Sequence, residues 1–299
     1  MAFDAIETPF GKSDRIIGGA ATYISWSASN FTRPIHQVSV VGGDFPESEL
    51  KALQERGVDI QGVQIKKDQK SFFWSGKYHL DMNTRDTLDT QLNVLADFDP
   101  ILPDAYKNSE FLMLGNLVPA VQLKVIDQLN NKPQLTVMDT MNFWMDTALE
   151  DLKKVISKVD VLMVNDSEAR QLSGEYSLVK AARAIMNMGP AYLVIKKGEH
   201  GALLFHQHHV FFAPALPLED VFDPTGAGDT FAGGFIGHIA QTKDISFDNM
   251  KNAIIVGSAM ASFCVEKFGT TRLKEISKAD IDERIRAFVQ LVNFDIDFI

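Results

Sequence analysis

Residues 223 to 234 read DPTGAGDTFAGG, and this stretch places Gly226, Ala227 and Gly228, almost bare backbone, immediately before the acid Asp229. Small residues leave backbone N–H groups uncovered, so the segment suits a ligand that takes donors at close range. Beyond it, Phe231, Phe235 and Ile239 recur at helical spacing, which makes the stretch a helix N-terminus. The first amides of a helix have no partner within the helix, and its dipole adds partial positive charge at the same end. A phosphate or a developing oxyanion is stabilised there. Gly233, Gly234 and Gly237 lie further along and suit close helix packing instead.

Two better-known phosphate motifs fail. FGKSD offers Gly11, Lys12 and Ser13 as the tail of a Walker A loop, but Ile6 stands where that loop needs its first glycine. Gly226 and Gly228 begin a GxG whose sixth position is Phe231, so the dinucleotide fingerprint fails too. The spacing NxxE, Asn165 to Glu168, follows the apolar run VDVLMVN and aims two oxygens past the end of a strand. Taken alone it reads as a helix cap with a first-turn acid.

These residues need a scaffold, and the chain supplies one. From about residue 110, short apolar runs alternate with amphipathic stretches: FLMLGN then VQLKVIDQL, QLTVMD then LEDLKKVIS, VDVLMVN then SEARQLSG, and finally AYLVIKKG. This alternation predicts an α/β fold, a mostly parallel central sheet with helices on both faces. Ligands gather beyond the carboxyl ends of such strands, where Asn116, Asp139, Asn165 and Lys196 each close an apolar run. Two regions break the pattern. Residues 5–17 are polar and turn-like, and residues 63–95 are rich in aromatic and β-branched residues without a helical stripe; both are expected to form strands of a small β-rich lid on one domain spanning 1–299.

Composition narrows the partners. With 45% hydrophobic residues, 299 residues bury a full core. A net charge of −10 and a pI near 5.2 argue against a nucleic-acid or anionic-membrane surface, so an anionic ligand must be held by local features. The single cysteine, Cys264, lies in the apolar ASFCV and reads as a buried, inert thiol. The acidic start MAFDAIETPF lacks the pattern of a signal peptide, and a cytoplasmic protein is expected. His206, His208 and His209 cluster in an alternating segment and read as strand histidines, with no further ligands at zinc spacing.

DPTGAGDTFAGGF resembles the signature of the ribokinase family, also called the phosphofructokinase B family of carbohydrate and nucleoside kinases. GGAAT at 18–22, VVGGDF at 40–45, NDSE at 165–168, KKGEHG at 196–201 and GSAMASF at 257–263 are similar to its other segments, in the same order. LGNLVP and DTMNFW look closer to a nucleoside-kinase-like branch.

The resemblance implies an ATP- and Mg2+-dependent kinase. Asp229 would take the proton of the attacking hydroxyl while the amides of Ala227, Gly228 and Asp229, after Gly226, stabilise the transferred group. An acid at a helix N-terminus is expected to have a lowered pKa, and phosphoryl transfer tolerates a weak base because its transition state is loose. Asn165 and Glu168 would organise Mg2+ through its waters. Lys196 stands where the family commonly has threonine: it reaches an ATP phosphate, or it is a solvated lysine at a strand end. Gly198 and Gly201 would turn the chain and leave room for the nucleotide, and Gly257 and Ser258 match the family's adenine-side helix, although small residues on a packed helix need no ligand.

For the acceptor, Asp4 aligns with the aspartate that binds sugar hydroxyls, and Gly18 and Gly19 with the backbone closing over the sugar. Asn116 is expected to face the same pocket, and Tyr23 takes the place of a frequent asparagine. Family members usually carry several more residues before the acid, forming a first strand. Asp223 and Thr225 would lend backbone to a monovalent-cation site, for K+. Trp74, Phe143 and Trp144 favour a nucleoside, adenosine-like, over a free sugar. A homodimer through the lid is compatible with this reading. The competing reading is a catalytically idle relative that binds a sugar or nucleotide as a regulator; a protein that only binds has no need of Asp229.

Overall fold

The computed structural model describes residues 1–293. Its strands are β1 (Ala2–Thr8), β2 (Gly11–Gly18), β3 (Ile35–Gly42), β4 (Val58–Lys66), β5 (Phe73–Tyr78), β6 (Arg85–Gln91), β7 (Phe111–Leu114), β8 (Leu135–Asp139), β9 (Val161–Asn165), β10 (Tyr192–Lys196), β11 (Ala202–His206) and β12 (His209–Ala213). Its helices are α1 (Ala20–Ala28), α2 (Glu47–Glu55), α3 (Pro119–Asp127), α4 (Asn142–Thr147), α5 (Leu149–Ile156), α6 (Asp166–Ser173), α7 (Leu178–Met186), α8 (Ala227–Thr242), α9 (Phe247–Cys264), α10 (Thr271–Glu275) and α11 (Lys278–Val292).

The main sheet has the order β12-β11-β10-β9-β8-β7. β7 to β10 run parallel, and β11 and β12 add an antiparallel edge. The parallel strands are apolar without interruption because helices cover both faces. Strand alternation divides their side chains: Leu162, Val164, Leu193 and Ile195 join Leu152, Ala181 and Ile185 of α5 and α7, whereas Val161, Met163 and Val194 join Phe231, Phe235 and Ile254 of α8 and α9. These carry the expected mostly parallel sheet with helices on both faces.

A second sheet has the order β2-β1-β5-β6 and a third is the parallel pair β3-β4. The lid expectation changes at residues 63–66, which finish β4 and pair with β3. Residues 5–17 lie in β1 and β2 of the second sheet and the turn between them, and its first strand starts at Ala2 with Phe3, Ile6 and Thr8 buried. Strand β6 is exposed along its whole length.

Helix α8 lies between α1 and α9, and its glycines permit this. A Cβ on Gly233 or Gly237 would run into the backbone of α1 at Ile24 and Ala28, and one on Gly234 into Met260 and Gly257 of α9. The Ser27 hydroxyl donates to the Thr230 carbonyl, fixing α1 to the first turn of α8. Cys264 is buried and free, and burial pushes its thiol well above the usual range. Among the described residues no helix is long and apolar enough to cross a membrane.

Candidate active site

The carboxyl ends of β8, β9 and β10 bring Asp139, Asn165 and Lys196 to one edge of the sheet, and the N-terminus of α8 meets them there. Gly226, the residue before α8, has φ 75° in the left-handed region, a conformation glycine adopts without strain. A Cβ on it would collide with the ring of Tyr23. Tyr23, expected at the acceptor, is instead 1% exposed beneath this loop, and its hydroxyl has no hydrogen-bond partner among the described residues. The correction follows from α1, whose packing on α8 carries Tyr23 inward.

Asp229 sits in the first turn of α8 and is partly accessible. Desolvation and then the charge of Asp139 push its carboxyl up to about 7, against the pull of Lys196, the Met1 amino group and Arg85. The expected lowering at a helix N-terminus is therefore reversed: loss of hydration outweighs the helix end. Asp4 is 4% exposed, and its carboxyl is likewise pushed up to about 7, by desolvation first and then by Asp223, while a hydrogen bond from Gly19 N–H opposes the rise. Gly18 has to be glycine here, since a Cβ would overlap the Asp4 carboxylate.

Lys196 is not a solvated strand-end lysine. Its side chain is 17% exposed, and Nζ donates to Asp139 Oδ2 at 2.7 Å. Burial alone would lower its pKa, but the carboxylates of Asp139 and Glu168 hold it above the ordinary value. Asp139 Oδ1 accepts from the Thr140 N–H, so both oxygens are engaged.

The NxxE segment forms a reciprocal capping box: Asn165 Oδ1 accepts from Glu168 N–H at 2.8 Å, and Glu168 Oε2 accepts from Asn165 N–H at 2.6 Å. Glu168 is 5% exposed, and desolvation pushes its carboxyl up to about 7 against the pull of Lys196. No group of three or more His, Cys, Asp or Glu among the described residues has the arrangement of a metal site.

The other expected positions divide. Gly198, φ 55°, lies under the Asn83 side chain of the β5–β6 turn, which brings the small sheet over the end of β10. Gly201, φ 81°, turns the chain where a Cβ would strike the Ala213 carbonyl. Gly257 packs on α8, with its would-be Cβ 2.8 Å from the Phe231 carbonyl, and Ser258 is 8% exposed. Helix packing accounts for Gly257, and the burial of Ser258 in α9 needs no ligand. Asn116 accepts from Trp144 Nε1 at 2.9 Å and donates to Met141 Sδ, which commits its amide. Asp223, 1% exposed, accepts from Thr225 N–H and Gly269 N–H, and the Thr225 hydroxyl reaches the Tyr78 hydroxyl at 3.2 Å.

Asp139 and Arg85 complete the site. Asp139 shows in the sequence only as the polar close of QLTVMD, and its partner stands 57 positions away. Arg85, opposite Tyr78 in the β5–β6 ladder, carries no signal in a strand exposed throughout. Its charge reaches both Asp229 and Glu168.

A family model described as pfkB family carbohydrate kinase matches residues 13–276. A cytidine kinase of Thermococcus kodakarensis is 28% identical over 90% of this chain and 95% of its own length. A nucleoside kinase of Methanothermobacter thermautotrophicus is 25% identical over 94% of this chain and 87% of its own. The crystal structure of a Methanocaldococcus jannaschii nucleoside kinase, an archaeal member of the ribokinase family, superposes with a TM-score of 0.74 at 20% identity, covering 95% of each chain.

Proposed function

The chain belongs to the pfkB family of carbohydrate kinases and is a phosphotransferase with an alcohol acceptor, and we propose that it transfers the γ-phosphate of ATP to a hydroxyl of a nucleoside. One observation carries this: Asp229 stands at the N-terminus of α8 with the Lys196 ammonium beside Gly228. A base, uncovered amides and a fixed cation thus meet at one point. That set is what in-line phosphoryl transfer asks of a protein, namely orientation and charge neutralisation.

In this reading Asp4, held by Gly19 N–H, accepts from hydroxyls of the acceptor's sugar and aligns a further hydroxyl with Asp229. Asp229 takes the proton of that hydroxyl as its oxygen attacks the γ-phosphorus. The bond from that phosphorus to the bridging oxygen breaks, and ADP leaves. The amides of Gly228 and Asp229 and the Lys196 ammonium face the transferred phosphoryl, while the expected third amide, Ala227 N–H, donates to the Pro224 carbonyl at 3.2 Å. Arg85 adds positive charge from the lid and excludes water with it.

Mg2+ fits this acid set only at a distance. Asn165 Oδ1 and Glu168 Oε2 are spent on the capping box, so both residues would hold the ion through its waters. Bound there, Mg2+ would neutralise charge on the phosphates. Asp223 spends both oxygens on N–H groups, so a K+ ion would rest on backbone carbonyls of Asp223 and Thr225; turnover in KCl against tetramethylammonium chloride tests it. Pairing of two chains through the lid belongs to the same reading, supported by the open β6, and sedimentation equilibrium tests it.

A nucleoside is favoured over a free sugar by the names of the two curated relatives and by Phe143, 51% exposed beside Trp144, as an aromatic surface for a base. Stacking accepts any base, so an adenosine-like acceptor stands beside a cytidine-like one, and a panel decides between bases. ADP release from Mg-ATP is measured with adenosine, cytidine, inosine, ribose and fructose, with Asp229→Asn as control. Turnover on a nucleoside that Asp229→Asn abolishes supports the reading, and turnover confined to free sugars removes the nucleoside from it. Absence of turnover on any acceptor favours a regulator that only binds.

A further inference from the structure

We propose that Asp139 is a positioning residue for phosphoryl transfer, holding the Lys196 ammonium against Gly228, where the terminal phosphoryl of the nucleotide is received. The proposal rests on the kinase reading above. Asp139 closes β8 and Lys196 closes β10, with β9 between them, so the lysine side chain bends sideways across the end of β9 to reach its partner. Parallel strands two apart lie about 10 Å from each other, a span that only a long side chain bridges. A lysine at a strand end otherwise extends its ammonium into water.

Three further facts set the role. Nζ donates to Asp139 Oδ2, and no other hydrogen bond of that ammonium is formed among the described residues, so two of its three donors are free to receive an anion. Both Asp139 oxygens accept, one from Lys196 and one from Thr140 N–H, so the carboxylate is itself oriented while it holds the lysine. The atoms nearest a would-be Cβ on Gly228 are Nζ, Cε and Cδ of Lys196, so the lysine alone occupies the space above that glycine. A fixed cation with unspent donors beside uncovered amides is arranged before the reaction and needs no reorganisation during it.

The test is a double-mutant cycle of Asp139→Asn and Lys196→Met on the whole protein, read first by affinity for Mg·AMP-PNP against Mg·ADP, which isolates the γ-phosphate and needs no acceptor. The expected result is that each single variant loses at least about tenfold of the preference for AMP-PNP. In the Lys196→Met background, Asp139→Asn then changes it by no more than about twofold, because nothing remains for Asp139 to hold. Equal losses in both backgrounds, or wild-type preference in Asp139→Asn, overturn the proposal. With an active acceptor in hand, kcat repeats this pattern while the acceptor KM stays within about threefold. A wild type without turnover defeats the kinase reading, and the binding cycle still decides whether Asp139 acts through Lys196. Where Asp139→Asn does not fold, Asp139→Glu keeps the charge and shifts the ammonium by one methylene; wild-type preference for AMP-PNP in that variant also overturns the proposal.

Discussion

The Lys196 ammonium fills the space that a side chain at residue 228 would take, since a Cβ built on Gly228 lies 3.0 Å from Nζ. Gly228→Ala is therefore a probe of the cation with little risk to the fold. The atom in the way ends a flexible side chain, and Gly228 is not among the glycines with positive φ. The methyl pushes Nζ aside, so kcat is expected to fall at least about tenfold, as when one transition-state donor is misplaced. Tm is expected to stay within about 2 °C. Steady-state kinetics with a thermal melt checks both.

Asp229 sets activity against stability. Its carboxyl is raised to about 7 in the folded chain, from an ordinary value near 3.8. A folded state that keeps its proton longer than the unfolded state is most stable at low pH, and that stability declines as pH rises from about 4 to about 7. Asp4 and Glu168 are raised in the same way and have the same sign. Above pH 7 the ionised Asp229 is a standing cost, so Asp229→Asn is expected to raise Tm at pH 8 while lowering kcat by roughly a thousandfold or more. At pH 5 the gain in Tm shrinks. Melts of both proteins across pH 5 to 8 check the trend, and a variant less stable at pH 8 would count against it.

Gly18 and Asp4 give a separate handle on the acceptor. A Cβ at residue 18 would overlap the Asp4 carboxylate, and that carboxylate cannot retreat because it is buried. Gly18→Ala is expected to raise the acceptor KM at least about tenfold and to leave the affinity for Mg·AMP-PNP within about twofold. Isothermal titration with the nucleotide analogue, beside acceptor kinetics, separates the two effects.

The sequence carried the phosphate end of the site because that end is local. The glycines, the acid and the helical repeat of Phe231, Phe235 and Ile239 are neighbours in the chain, and their chemistry follows from helix geometry. The parallel strands were legible for the same reason, as continuous apolar runs. Asp139 with Lys196 was not, because the pair depends on strand order: β9 separates the two ends, and no periodicity reports which strands are neighbours. Tyr23 and Gly257 misled in the opposite way. Each lies in a segment similar to a binding motif, yet α1 packs one ring under the loop and α9 packs one glycine on α8. Arg85 reaches the site only through the β5–β6 turn, whose fold over Gly198 depends on contacts far apart in the chain.

The pH dependence of kcat follows from the charges facing Asp229. Asp139 raises its carboxyl, while Lys196, the Met1 amino group and Arg85 lower it, and desolvation exceeds each. Asp229 in turn raises Asp4. A general base works deprotonated, so kcat is expected to rise with pH and level off above an apparent pKa of about 7. Arg85 offers a clean perturbation because it lies on the exposed β6, where substitution leaves the core untouched. Arg85→Gln removes a positive charge that favours the carboxylate, so the acid limb is expected to move to higher pH. The conservative change Arg85→Lys keeps the charge, so it is expected to hold the limb near its original position even where kcat falls. A limb that moves to lower pH in Arg85→Gln, or that moves equally in both variants, would assign it to a group other than Asp229.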